Sequence, residues 1–200
     1  MKKLFFLFPI FLIKFSTVAQ ETLLDSLVLS AYEEYDNLDS ARNNPDNVVK
    51  LVLRKKKLKD FPSQILKFKN LQYLDLSKNS IKELPDSIIT LKKLQILILS
   101  KTGLERLPNT IGGLRNLKYL NVNQNEINRI PYSFGDLENL EIADLWSNNL
   151  DSFPETLKKL NKLKTMDLRN ILIPQIWQDN IQSMLPNTII YFSPACKCSW

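Results

Sequence analysis

The 200 residues include no histidine, two cysteines and only four glycines. Each shortage closes a class of chemistry. Without histidine, the commonest general base at neutral pH and the commonest metal ligand are both missing. Four glycines leave little material for a loop that cradles phosphate. Two cysteines cannot complete a closed zinc site on their own. Charge of one sign is not in large excess either: 27 Lys and Arg against 21 Asp and Glu give a net +6. A nucleic-acid binder usually carries a far more basic face, so nucleic acid is not expected as a partner. The composition, 44% hydrophobic and 24% charged, is that of one globular domain with a continuous core. No enzyme activity, cofactor or metal is expected.

The amino terminus is set apart from the rest. Met1-Lys2-Lys3 is a short positive start, Leu4 to Ile13 is an apolar run, and Ser16-Thr17-Val18-Ala19 supplies small residues. This pattern predicts a signal peptide over 1–19, cleaved after Ala19. Lys14 stops the run well short of the roughly 20 apolar residues that a membrane span needs. The expected location is therefore secreted, periplasmic or cell-envelope, with no stable membrane insertion after cleavage. Cleavage would remove Lys2, Lys3 and Lys14 and lower the net charge from +6 to +3.

Proline carries the organising signal. Pro62, Pro85, Pro108, Pro131 and Pro154 stand 23 residues apart, and one more step lands on Trp177. Aligned on them, one period reads Leu71-x-x-Leu74-x-Leu76-x-x-Asn79-x-Ile81-x-x-Leu84-Pro85-x-x-Ile88-x-x-Leu91. The apolar columns recur through Leu94 to Leu114, Leu117 to Leu137 and Leu140 to Leu160. Leu74-x-Leu76 alternates with period two, as a short half-buried strand does, and stacked copies would pair into a parallel sheet. Asn79, Asn125 and Asn148 follow the strands, where a carboxamide can satisfy backbone groups leaving the ladder. Thr102 can do part of that work, whereas Lys56 and Ile171 cannot. The Pro-x-x-apolar half is too short for a long helix and predicts a turn or loose helical piece.

This pattern resembles the leucine-rich-repeat family, in its 23-residue variety with a Leu-Pro-x-x-Ile second half. The resemblance implies an α/β solenoid, with a curved parallel sheet on the concave side and short helical or irregular segments on the convex side. With the leader, it points to a secreted bacterial protein that binds a protein partner. About six repeats are expected over 48–187, behind an N-terminal helical cap at 20–47 and before a C-terminal cap at 188–200. In the first cap, Leu23, Leu24, Leu27, Val28, Ala31, Tyr32, Tyr35 and Leu38 fall at helical spacing, which predicts one capping helix on the first repeat. After Leu168 the pattern loosens. The segment to Asn187 reads as helical, with Ile176 and Trp177 on or beside the columns, and Thr188 to Phe192 reads as a last edge strand.

In such a solenoid the strand positions between the leucines face outward. They run Lys50, Tyr73, Ile96, Tyr119, Ile142, Thr165, then Val52, Asp75, Ile98, Asn121, Asp144, Asp167. A third row runs Arg54, Ser77, Ser100, Asn123, Trp146, Arg169. The expected partner-binding residues are Tyr73, Asp75, Ile96, Ile98, Tyr119, Asn121, Ile142, Asp144, Trp146 and Arg169, because aromatic anchors with a polar surround make interaction hot spots. Asp75 and Asp144 are about 14 Å apart at ordinary strand spacing, too far to share a proton or an ion, so the acidic column is expected to be a solvated strip. The run Arg54-Lys55-Lys56-Lys57-Leu58-Lys59 fills exposed strand and turn positions. An oxidising compartment would favour a disulfide at Cys196 and Cys198, within the pair or between chains. The expected state is a monomer with weak self-association, and a self-associating envelope scaffold is the alternative reading.

Overall fold

The computed structural model describes residues 23–194. The signal peptide expected over 1–19 and the pair Cys196 and Cys198 lie outside the described residues. Seven parallel strands form one sheet in sequence order: β1 (Lys50–Val52), β2 (Tyr73–Asp75), β3 (Ile96–Ile98), β4 (Tyr119–Asn121), β5 (Ile142–Asp144), β6 (Thr165–Leu168) and β7 (Ile189–Phe192). The central residue of each repeat strand points inward, so Leu51, Leu74, Leu97, Leu120, Ala143 and Met166 stack as one buried column. Leu or Val two positions on, such as Leu76, Leu99 and Val122, forms the next column. A single continuous core runs from Ala41 to Leu185.

Each proline opens a short 3-10 segment on the convex side, at Ser63–Lys67, Asp86–Thr90, Ile111–Gly113, Tyr132–Asp136 and Glu155–Lys159. These turns carry Ile65, Ile88, Ile111, Phe134 and Leu157 into the core. Neighbouring turns approach closely: a Cβ on Gly135 would stand 2.1 Å from the Thr156 carbonyl oxygen. Exposed ion pairs span equivalent positions of adjacent repeats, as in Lys82–Glu105 and Asp136–Lys159. Such surface pairs are screened by solvent and add little to stability.

The capping region departs from the single helix expected over residues 21–42. Two short helices form, α1 (Ser26–Ala31) and α2 (Leu38–Asn43). Between them Tyr35 pairs with Leu51 as a one-residue extension of the sheet, its N–H donating to the Lys50 carbonyl at 3.0 Å. Ala41 of α2 enters the core beside the first repeat. In α1, Leu27 and Val28 are exposed and Leu29 is buried, outside the continuous core. Helical spacing alone does not say which of several apolar residues meets the body of the protein.

The last repeat is longer by one residue. Strand partners from β1 to β6 are 23 apart, but Thr165 pairs with Ile189, 24 positions on. A one-residue shift exchanges the two faces of a strand. Ile189 and Tyr191 therefore face outward while Ile190 and Phe192 pack on the core. The insertion is absorbed by α3 (Gln175–Met184), which follows Pro174 and replaces the 3-10 turn. Gln178 and Ile181 are its buried residues, and Ile176 and Trp177 are exposed rather than on a core column. Among the described residues no helix is long and apolar enough to cross a membrane.

Candidate functional site

The strand register places Tyr73, Ile96, Tyr119, Ile142 and Thr165 in one row, joined by Ile189, and Asp75, Ile98, Asn121, Asp144 and Asp167 in the next, joined by Tyr191. Ile189 and Tyr191 were not among the expected binding residues, because the one-residue insertion hides their register. The two halves of this face differ.

Over β1 to β4 the start of the face is partly covered by the chain itself. The Leu24 N–H donates to Gln72 Oε1 at 2.8 Å, and Gln95 Nε2 donates to the Leu24 carbonyl at 2.9 Å. Gln95 Nε2 also donates to Gln72 Oε1 at 2.7 Å, so two buried carboxamides hold each other and the main chain of Leu24. Leu29 shares the lining of a groove of about 390 Å³ with Gln95, Ile96, Tyr119 and Ile142. At the first strand, Lys50 Nζ donates to the Ser30 carbonyl and pairs with Glu34. Lys50 also lies 5.3 Å from the centre of the Tyr73 ring. Burying Leu29 stabilises the docked segment by roughly 2 kcal/mol. The expected helix thus packs beside the outward-facing strand residues Lys50, Ile96 and Tyr119 and not only on the end of the stack.

Over β5 to β7 the outward side chains are open. Ile142 is 40% exposed, Ile189 61% and Tyr191 46%. Trp146 is half-buried at the end of the same strand as Ile142. Arg169 is held in place: its guanidinium makes paired hydrogen bonds to the Asp167 carboxylate and lies 5.4 Å from the Tyr191 ring centre. The result is a face on which Ile142, Ile189 and Tyr191 are exposed and one fixed cation stands beside Tyr191.

The acidic column turns out to be structural. Asp75, Asn121, Asp144 and Asp167 each accept, through Oδ1, the N–H two residues ahead. Each side chain closes a local turn at the end of its strand. A left-handed residue then redirects the chain: Lys78, Gln124, Ser147 and Asn170 all have φ between 53° and 57°. Asp75, expected on the surface, is buried, and Ser77 with it, whereas Asn121, Asp144 and Asp167 in the same role are half-buried. The neighbours Asp144 and Asp167 titrate in opposite directions. Burial pushes the Asp144 carboxyl up, against hydrogen bonds from Asn123 and the Trp146 N–H. Burial acts the same way on Asp167, but the Arg169 hydrogen bonds outweigh it and hold that carboxyl below its usual range. Among the described residues no group of three or more His, Cys, Asp or Glu side chains is placed to hold a metal ion.

Two further surfaces adjoin this face. Arg54, Lys55, Lys57 and Lys101 are exposed along the edge where β1 to β3 end. The Lys78 ammonium is pushed below its usual range by Arg54 and Lys55. On the side where the strands lead into the convex turns, a cleft of about 790 Å³ is lined by residues including Asn148, Phe153, Leu172, Pro174 and Trp177. The sequence signal for it was the loss of pattern after Leu168.

A family model described as "Leucine-rich repeat region" matches residues 48–190. No curated protein matches the chain. Among solved structures, a Leptospira interrogans LRR protein is 29% identical over 83% of this chain and 49% of its own, with a TM-score of 0.65. The plant peptide hormone receptor RGFR1, in complex with RGF2, is 26% identical over 80% of this chain and 26% of its own, with a TM-score of 0.61. The ectodomain of the Arabidopsis thaliana receptor kinase GASSHO1/SCHENGEN3, in complex with CASPARIAN STRIP INTEGRITY FACTOR 2, is 27% identical over 72% of this chain and 17% of its own, with a TM-score of 0.56. The chain therefore spans less than half the length of each of these structures.

Proposed function

The chain belongs to the leucine-rich repeat family, and from that premise we propose that it is an exported, non-catalytic module that captures a protein or peptide partner on its concave face. The observation that carries this reading is the open outward side of β5 to β7, where Ile142, Ile189 and Tyr191 are exposed and Tyr191 lies beside the Arg169 guanidinium that Asp167 holds. Exposed aromatic and aliphatic groups beside a preorganised cation have the composition of an interaction hot spot. Two structural neighbours are complexes with RGF2 and CASPARIAN STRIP INTEGRITY FACTOR 2, which supports a protein-class ligand. Export to the envelope or beyond rests on the apolar leader with its Lys2-Lys3 start and Ala19. The repeats belong to the 23-residue type, and a bacterial source fits the likeness to the Leptospira protein.

The test is a capture experiment with the full chain and its Trp146→Ala, Tyr191→Ala variant, using envelope extract of the source organism. The intact protein retains a partner that the variant loses, while the two melt at the same temperature. Retention of the same proteins by both would overturn the proposal.

A second reading is favoured by β7, an outermost strand whose sequence Ile189-Ile190-Tyr191-Phe192 carries no charge. Uncharged edges pair readily with other edges. In this reading the protein is a scaffold that associates with its own copies. Sedimentation as a monomer at tens of micromolar would exclude it.

A further inference from the structure

The segment over β1 to β4 is seated as a ligand would be. Gln72 and Gln95 address both main-chain groups of one residue: the Leu24 N–H meets Gln72 Oε1 and the Leu24 carbonyl meets Gln95 Nε2. That recognition reads a backbone and not a side chain. Both carboxamides are buried, at 0% and 2% exposed, so the Leu24 main chain meets them in a protected site. Five residues on, the buried Leu29 forms one wall of a groove whose other walls include Ile96 and Tyr119. Leu29 is buried yet contributes nothing to the continuous core, whose first member is Ala41. Lifting the segment therefore uncovers a face without opening the core. Its own apolar residues Leu27 and Val28 already face solvent.

We propose that the Gln72–Gln95 pair and the Ile96–Tyr119 surface beside it form a peptide subsite, covered in the free protein by the chain's own residues 24–29, which leave an open groove next to Leu29. The occupant it selects is a peptide that offers one main-chain N–H and carbonyl to the two glutamines and then enters a helical turn that presents a leucine-sized side chain five residues later. Such a peptide competes with the strap, so apparent affinity is reduced by the fraction of time that the strap is seated. This inference rests on the reading of the concave face as the binding surface and extends it to the half that the chain partly covers.

The probe is a fluorescein-labelled peptide of residues 23–31 with added C-terminal lysines for solubility. Its binding is measured by anisotropy on the full chain, on Leu29→Asp and on Leu29→Asp with Gln95→Met. Leu29→Asp unseats the strap and should bind the peptide roughly tenfold more tightly or better. Gln95→Met removes the donor while keeping the volume, and should abolish that gain. Equal binding to the full chain and Leu29→Asp, or a gain indifferent to Gln95, would overturn the proposal. Hydrogen exchange on the unmodified chain gives a test independent of the variants' folding. The Leu24 and Leu29 amides should exchange through local opening, far faster than the Leu74 amide, and faster still with excess peptide. Exchange of all three at one rate would also overturn it. Trp146→Ala leaves this peptide's binding unchanged, so failure of the envelope capture with the peptide still bound would count against the wider reading alone.

Discussion

Asn125 donates from Nδ2 to the carbonyl of Leu99 at 2.8 Å, across 26 positions of sequence, and so serves the repeat before its own. Its Oδ1 accepts from the Thr102 and Leu104 N–H groups of that same preceding repeat, and Nδ2 also reaches the Val122 carbonyl. Asn148 bridges back to Val122 and Ile127, and Asn79 to Leu53 and Leu58, in the same way. This direction explains why the first repeat manages with Lys56 in the equivalent place. Among the described residues no earlier repeat stands behind it to be served.

Asn125→Ala should therefore destabilise two repeats at once. It leaves two buried N–H groups without their acceptor, at a cost of about 3 kcal/mol. Asn79→Ala, at a less buried site with a single accepted N–H, should cost less. Urea unfolding of the two variants checks the order.

Gly135→Ala should be the more damaging of two glycine substitutions. The added methyl would meet the Thr156 carbonyl oxygen at 2.1 Å and force neighbouring convex turns apart. Overpacking of this kind costs about 1–3 kcal/mol. At Gly103 nothing lies within 4 Å, and the cost of Gly103→Ala is conformational, from φ +73°, at about 1 kcal/mol. Thermal melts of both variants give the comparison.

Lys101 holds φ at 56° without being glycine. Lys101→Gly should stabilise by roughly 0.5 kcal/mol, the relief of left-handed strain less the added freedom of the unfolded chain. Lys101→Val, β-branched, should destabilise. Both backbones can keep the Lys101 N–H bond to the Asn123 carbonyl, so denaturant midpoints report the conformational term.

Asp144 and Asp167 should give opposite pH profiles when each is replaced by asparagine. The Asp144 carboxyl is raised in the folded state. Its contribution is complete below the unfolded value of about 3.9 and is lost as pH rises through the higher folded value. Asp144→Asn should accordingly gain on the native protein as pH climbs from about 3 to 6. The Asp167 carboxyl is lowered, so its contribution is present above about 3.9 and is lost as pH falls through the lower folded value. Asp167→Asn should lose ground over that same climb. Denaturant midpoints at several pH values check both signs.

The solenoid was legible in the chain because the signal is local and repeated. Proline sets φ, and leucines alternating about one position make a half-buried strand, so each 23-residue period specifies its own turn of the coil. Outward strand positions followed from the same alternation, and the structure brings Tyr73, Ile96, Tyr119 and Ile142 into one row. The roles of Asp75, Asn121, Asp144 and Asp167 were less visible. A carboxylate that closes a turn and one that waits for a ligand are the same letter in a sequence. Ile189 and Tyr191 were missed because a single inserted residue moves them to the opposite face.

Period, strand faces and the asparagine turns were thus decided by composition and spacing alone, since each depends on contacts within a repeat or with the next one. The seating of Leu24 between Gln72 and Gln95 was decided only by the folded structure. It joins residues 48 and 71 positions apart that share no pattern. Such a contact exists only once the coil has brought two glutamines side by side on a surface to which residues 24–29 can return.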